Sequence, residues 1–533
     1  MAEEMTFARK ASGLVRGLST YDAFGMGLIN ILPLYVIWWM VMAGLGFFPR
    51  SNLFISLGLT CVTLGVASPI VWGVLGGSMP RSGGDYLYNT RVINPAIGMA
   101  ASMGMILGQM YWSIYMATWI TQPSLQLIGQ FLGWQGLVNF ASGTWGTFAC
   151  TLLLFAGAFS LVAFGWKAYK LVIRPVLAIT IATTAIVFIP MLFQSKGAFI
   201  GTWNSAASTY GSLDYTSFMR AVEKASGAPL PTTWSWGDTI GAFTATFMVV
   251  IYAYVSCYVG GEVKKPGKAL FTANWLGGAV AAALSFLCLF GLYHMADSRF
   301  LIAAAYNSLY PVEGYTLPWD TSVLGLTFMG SGMNRFIGVL IALTWLLGTI
   351  AIFAVILGFV QRVLFAWGMD RMGPKFFTDI SPRWSSPIKS FAFVAIVICG
   401  LSVAYELWLQ DALTGLVASG MMTVSVFAVT AISAIIFPYR KRVSGVWDSS
   451  PYSQWKLAGI PVVTIAGLVY FAYVLLLLYY AFLSPNTRDV TGKNLFVFLG
   501  VWIIGFAWFF YWRYRSLKAD INIDMAFVQL PPE

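Results

Sequence analysis

Residues 20–39, TYDAFGMGLINILPLYVIWW, form an apolar run with an amide and a proline inside it, at Asn30-Ile31-Leu32-Pro33-Leu34. Proline lacks a backbone donor and clashes with the carbonyl four residues back, so a helix kinks or breaks there. In a bilayer such a break is tolerated only against protein or a wet cavity. Freed backbone groups, with the Asn30 side chain beside them, suit non-covalent recognition of a small polar solute. A simple proline kink is the alternative, and this stretch alone leaves both open. Covalent chemistry has no equipment here. His294 is the only histidine, and Cys61, Cys150, Cys257, Cys288 and Cys399 lie singly in apolar segments without metal-site or disulfide spacing. No nucleophile–base pair stands at depth and no phosphate-cradling glycine loop appears. Neither an enzyme, a metal site nor a cofactor is expected.

The elements that must hold this stretch are membrane helices. The 533 residues are 58% hydrophobic and only 10% charged, too little charge for the surface of a soluble protein of this length. Apolar runs recur at about 20–46, 52–77, 95–126, 145–164, 170–193, 237–261, 268–295, 335–366, 388–407, 412–437, 456–483 and 494–513. These make an all-α polytopic membrane protein of twelve transmembrane helices, with longer polar connections at 194–236 and 297–334. The N-terminal residues 1–19 are polar and lack the apolar core and cleavage site of a signal peptide.

Twelve spans put both termini on one side, and the charges test that count. Most of the 31 lysines and arginines fall on the terminal side, among them Arg9, Lys10, Arg16, Arg81, Arg91, Lys167, Lys170, Arg174, Lys264, Lys265, Lys268, Arg362 and Arg371. The other side holds only Arg50, Lys196, Arg220, Lys224, Arg299, Arg335, Arg488 and Lys493. This bias predicts cytoplasmic termini in a cell membrane. It also accounts for the net charge of +11 by contact with a lipid bilayer, without nucleic acid. The few intramembrane acids, Asp22, Glu262 and Glu406, lie near span ends, so no charged relay marks an ion path.

Between the second and third spans the chain reads MPRSGGDYLYNTRVINPAIG. Pro80, Arg81, Ser82, Gly83, Gly84, Asp85, Tyr86, Tyr88, Pro95 and Gly98 closely resemble the cytoplasmic loop of amino acid–polyamine–organocation superfamily permeases. Physically, paired glycines permit a tight turn, Arg81 and Asp85 are placed to pair, and Pro95 opens a helix. Gly261-Glu262-Val263-Lys264-Lys265-Pro266 resembles a second signature of that superfamily, with Lys265 where Asn is usual. Residues 361–374, QRVLFAWGMDRMGP, resemble the exit of its eighth helix, followed by the loop to Ser386-Pro387.

The resemblance implies a 5+5 inverted repeat with helices one and six broken at mid-membrane. Residues 20–193 would form the first repeat, 194–236 an extracellular loop, 237–437 the second repeat, 438–513 two peripheral helices and 514–533 a cytoplasmic tail. It also implies a permease for amino acids or related amines, with the substrate between the two breaks. The first break falls at Asn30, Ile31, Leu32, Pro33 and Leu34, and the second near Val250, Ile251, Tyr252, Ala253 and Tyr254. Tyr111 or Tyr115 of the third helix would wall the site. Relatives usually carry a Gly-small-Gly run at the first break to hold a carboxylate. Here Pro33 has no amide to donate and Gly25 and Gly27 lie a turn earlier, so Asn30 would supply the missing donor. Coupling to H+ or Na+ points to Thr180 on the fifth helix, where some relatives carry a lysine, or to Thr344 and Thr349 on the eighth. An uncoupled facilitator or exchanger, and a non-transporting sensor or scaffold, remain the alternatives.

Impermeant labelling of cysteine tags at either terminus should fail from outside intact cells and succeed after permeabilisation; ready labelling of one end would break the twelve-span count.

Overall fold

The computed structural model describes residues 16–116, 122–163, 165–381, 386–405, 412–483 and 491–530. Among them, nine helical stretches are long and apolar enough to cross a membrane, and two shorter apolar helices accompany them. The chain is therefore a helical, multi-pass membrane protein. Leu32 takes a left-handed conformation (φ 45°, ψ 81°) between α1 (Thr20–Ile31) and α2 (Pro33–Phe47). The second stretch is offset at Thr63 between α3 (Leu53–Val62) and α4 (Leu64–Ser78). A short α5 (Asp85–Val92) precedes α6 (Pro95–Met116). The third expected span, 95–126, continues beyond α6 into 117–121, outside the described residues.

Two short helices, α7 (Gln122–Leu132) and α8 (Gln135–Ser142), lead to α9 (Thr144–Ala163) and α10 (Gly165–Met191). The connection 194–236 is not plain coil. It folds into α11 (Lys196–Tyr210) and α12 (Tyr215–Ser226), capped by Ser195 and Asp214. The connection 297–334 likewise contains α17 (Ser298–Leu309) and α18 (Val323–Gly330). The two join through an aromatic core. Tyr215 stacks on Phe300 at 4.3 Å and Trp203 meets the same ring edge-on at 4.9 Å. An exposed Arg299–Glu223 pair at 2.9 Å sits on their surface. Together they cap one end of the bundle.

Between these connections, α13 (Trp236–Gly241), α14 (Phe243–Thr246) and α15 (Met248–Ile251) run into a 3-10 helix, Tyr252–Tyr258. Beyond them stand α16 (Pro266–Met295), α19 (Arg335–Met369), α20 (Ile388–Ala404) and α21 (Ala412–Ile436). A short α22 (Ser444–Asp448) precedes a two-residue hairpin, Lys456–Leu457 against Ile460–Pro461. Only then does α23 (Val462–Leu483) begin, so the expected eleventh span starts six residues late because its first residues pair as strands. The last long helix is α24 (Thr491–Leu517).

Small residues let the central helices touch. A Cβ on Gly27 would lie 3.0 Å from the Ala253 carbonyl oxygen, and one on Gly277 would lie 3.2 Å from the Ala253 Cβ. Thus α1, the 3-10 helix and α16 pack nearly backbone to backbone, the usual way helices gain van der Waals contact without a hydrophobic drive. Gly27→Val should lower the apparent melting temperature of the purified protein, since overpacking costs about 1–3 kcal/mol; an unchanged value would mean α1 does not sit against this turn.

Candidate functional site

The proline does what its chemistry demands. Across the kink the Leu32 amide still reaches the Leu28 carbonyl at 3.0 Å, Tyr35 donates three residues back to Leu32 at 2.8 Å, and the regular four-residue ladder resumes with Val36 on the same carbonyl at 3.2 Å. The sixth stretch behaves differently. It does not open near Val250–Tyr254; the ladder tightens at Tyr252 from α to 3-10 geometry, with Tyr252 at φ -75° and ψ 0°. No proline or glycine forces a gap there, so the backbone overwinds and remains helical. The two irregular points meet. Asn30 Nδ2 donates to the Tyr252 carbonyl at 2.9 Å, fully buried.

A small cavity adjoins this bond, lined by Asn30, Ile31, Tyr35, Val36, Gln109, Trp112, Met248, Tyr252 and Ile352. It admits the centre of a water-sized sphere over only about 10 Å³. Tyr35 closes one side, edge-on to Trp112 at 5.6 Å and to Trp345 at 6.5 Å. Towards the other side Tyr254 stacks on Trp72 at 4.6 Å, with Phe427 edge-on at 5.2 Å. Tyr252, which lines the cavity, lies 6.2 Å from the Tyr254 ring and links it to this second aromatic cluster.

Of the residues singled out by sequence, Asn30, Ile31 and Tyr252 reach this cavity. Leu32 packs on α19, where a Cβ on Gly348 would come within 2.5 Å of it. Pro33 begins α2, and Leu34, Ile251 and Ala253 are core residues. Val250 packs on Gly65 and Gly278. Tyr254 belongs to the aromatic layer below and donates to Met105 Sδ. Tyr111 does not line the cavity, and the Tyr115 side chain lies outside the described residues. Gln109 and Trp112 line it instead, because residues three apart share a helix face while Tyr111 points off it. A mid-helix amide such as Gln109, which donates to Thr423 Oγ1 at 3.3 Å, was the available signal.

The threonines are engaged. Thr344 Oγ1 donates to the Leu340 carbonyl and meets Thr183 Oγ1 at 2.9 Å. Thr349 donates to the Trp345 carbonyl of its own helix at 2.7 Å, and Thr180 is buried with its carbonyl accepting from Thr184.

The three sequence signatures converge at the opposite end from the aromatic cap, here called the basic end. Leu18 pairs with Val263 through bonds to Glu262 and Lys264, tying the start of α1 to the end of the sixth stretch. Arg362 grips Glu262 at 2.8 and 3.0 Å with both groups buried. Arg91 holds Asp370 at 2.6 Å, Tyr86 donates to the same carboxylate, and Arg91 also donates to the Ala526 carbonyl of the C-terminal segment. Asp22 takes Arg174 at 2.8 Å and Lys170 at 3.4 Å, so these cations do more than anchor to lipid. One expectation is corrected. Asp85 does not pair with Arg81; Gly83 (φ 115°) and Gly84 (φ 52°) reverse the chain, turning Asp85 inward onto the Tyr258 hydroxyl. A Cβ on Gly84 would collide with the Tyr258 ring at 2.6 Å, so the motif needs glycine there.

The helical membrane bundle thus places two adjoining backbone irregularities beside one small cavity. The sequence matches the family described as Amino acid permease over residues 18–508, and the chain belongs to it. That family lies within the amino acid–polyamine–organocation superfamily and consists of transporters, not enzymes. No curated protein matches the chain.

Breaking one partner of a buried ion pair leaves the other uncompensated, at about 3–5 kcal/mol. Arg362→Met should therefore lower the melting temperature strongly, while Arg362→Met with Glu262→Leu should recover most of the loss. Additive losses in the double variant would show that the pair is not coupled.

Proposed function

We propose that the protein is a secondary transporter moving amino acids or related small organic amines by alternating access with ion coupling. The reading includes a twelve-helix, 5+5 inverted-repeat bundle in the cell membrane with cytoplasmic termini. It makes the basic end the cytoplasmic one. The observation that carries it is the bond from Asn30 to the Tyr252 carbonyl, made where both helices depart from regular geometry and beside the cavity. Such irregular backbone offers dipoles to a zwitterion at the centre of a membrane. Room for little more than one water makes this an occluded arrangement. Entry of solute then requires the Tyr35–Trp112–Trp345 layer or the basic-end latches to move. Tyr35, Gln109 and Trp112 join Asn30, Ile31 and Tyr252 as the proposed substrate contacts. The engaged hydroxyls of Thr344 and Thr349 favour proton over sodium coupling.

Proteoliposomes holding the protein should accumulate at least one member of a panel of neutral, cationic and acidic amino acids and small amines against its gradient when the outside is acidic. Equilibration without accumulation would replace coupling by facilitated diffusion, and no uptake of any member would overturn the transporter reading. Asn30→Ala should cut uptake about ten- to a hundredfold, the worth of a hydrogen bond to a charged group, and normal uptake would remove Asn30 from the site.

A further inference from the structure

Four carboxylates are buried at or near the basic end, and three have a cation. Asp22 has Arg174, Glu262 has Arg362 and Asp370 has Arg91. Asp85 has none among the described residues, although it is 0% exposed. Its Oδ1 accepts from the Tyr258 hydroxyl, and its Oδ2 has no hydrogen-bond partner. A lone carboxylate charge in such surroundings costs several kcal/mol, and the cheap remedy is a proton.

Among the described residues the charged neighbours are engaged elsewhere, beginning with Arg81 of the adjoining loop, which donates to the Pro80 carbonyl at 3.1 Å. From the 3-10 helix Asp85 faces Tyr254, Cys257 and Tyr258, all buried. The next turn brings Glu262, and α19 brings Arg362, but these two neutralise each other. Its own helix carries Tyr86, Tyr88 and Arg91, the last spent on Asp370. Lys441 and Arg442 follow α21, and Arg442 feels Arg91 and Asp524 rather than Asp85. α6 and α21 present no acid or base other than Tyr111 and Tyr115, which lie near the far end of α6.

We propose that Asp85 is a proton-binding site whose protonation holds the basic end shut. Oδ2 carries the proton while the loop 79–84 lies on the 3-10 helix, held there by the Gly83 amide on the Tyr258 carbonyl at 3.0 Å and by the Ser82–Val259 bridge. When the loop lifts, water reaches the carboxyl, its O–H bond breaks and the proton passes to that water. Burial pushes the carboxyl up from 3.8 to about 7, against the Tyr258 hydroxyl and the Tyr86 and Asp85 amides, which favour the anion. The sign follows. The raised value belongs to the closed form, so closure is fully supported below about 3.8. That support is lost at about tenfold per pH unit up to about 7. Coupling this release to solute movement rests on the transporter reading; the proton site itself does not.

The test uses the full-length protein in lipid nanodiscs. Infrared difference spectra should show a protonated-carboxyl C=O band that disappears with a midpoint near neutral. The band should be absent in Asp85→Asn. In Tyr258→Phe, which removes a donor to the anion, its midpoint should move upward. Amide hydrogen exchange in residues 79–92 and 256–264, corrected for intrinsic rates, should rise about fiftyfold from pH 5 to pH 7 in the wild type and stay flat in Asp85→Asn. A band that survives in Asp85→Asn, an unmoved midpoint in Tyr258→Phe, or equal pH dependence of exchange in both proteins would overturn the proposal. Should Asp85→Asn fail to fold, the Tyr258→Phe midpoint decides alone. Loss of all uptake with an intact Asp85 titration would refute the transporter reading and leave the proton site standing.

Discussion

The hydrogen bond from Asn30 to the Tyr252 carbonyl is the joint on which the centre of this molecule depends. Pro33 cannot donate, so the first helix surrenders part of its ladder at membrane depth. Lipid offers no replacement partner. Beside this gap the Asn30 side chain donates to a second irregular helix, overwound to 3-10 geometry at Tyr252, whose carbonyl accepts. The close approach of Gly27, Ala253 and Gly277 keeps them in register. A central cavity follows almost automatically, since overwound and broken helices cannot pack as evenly as straight ones.

The two ends of the bundle are closed by different physics. At one end, two helical connections share an aromatic core around Phe300, a closure made of dispersion and apolar burial. At the basic end, closure comes from buried ion pairs, Glu262 with Arg362 and Asp370 with Arg91. Such pairs add little net stability, because desolvation offsets most of the attraction. Their value is geometric: each fixes two separate segments in one arrangement, because the buried charges find their partners only there. The C-terminal segment joins this closure through the Ala526 carbonyl and the Phe527 ring on Arg91.

How much was legible beforehand varied with the range of the interaction. The break at Leu32 was legible because proline acts on its own helix. The glycine reversal at Gly83 and Gly84 was legible for the same reason. The tightening at Tyr252 was not, because no residue there has a strong local preference. Gln109 was overlooked in favour of Tyr111, though its amide in an apolar helix was visible and its face could have been counted from Trp112. The pairing of Arg81 with Asp85 was misjudged because sequence proximity says nothing about which way a reversed chain points.

By itself, then, the sequence determined what each segment does alone: which stretches are apolar enough for lipid, where a proline must interrupt a helix, where only glycine can turn, and on which side cations accumulate. Only the tertiary structure decided partners. It gave Asn30 to Tyr252, Arg362 to Glu262 and Arg91 to Asp370, and among the described residues it left Asp85 beside tyrosines without a cation. The reason is physical. Backbone preferences and hydropathy act over a few residues, whereas a buried polar group takes whichever partner the folded chain brings within about 3 Å, and that partner lies as far as 435 residues away in the bond from Arg91 to the Ala526 carbonyl.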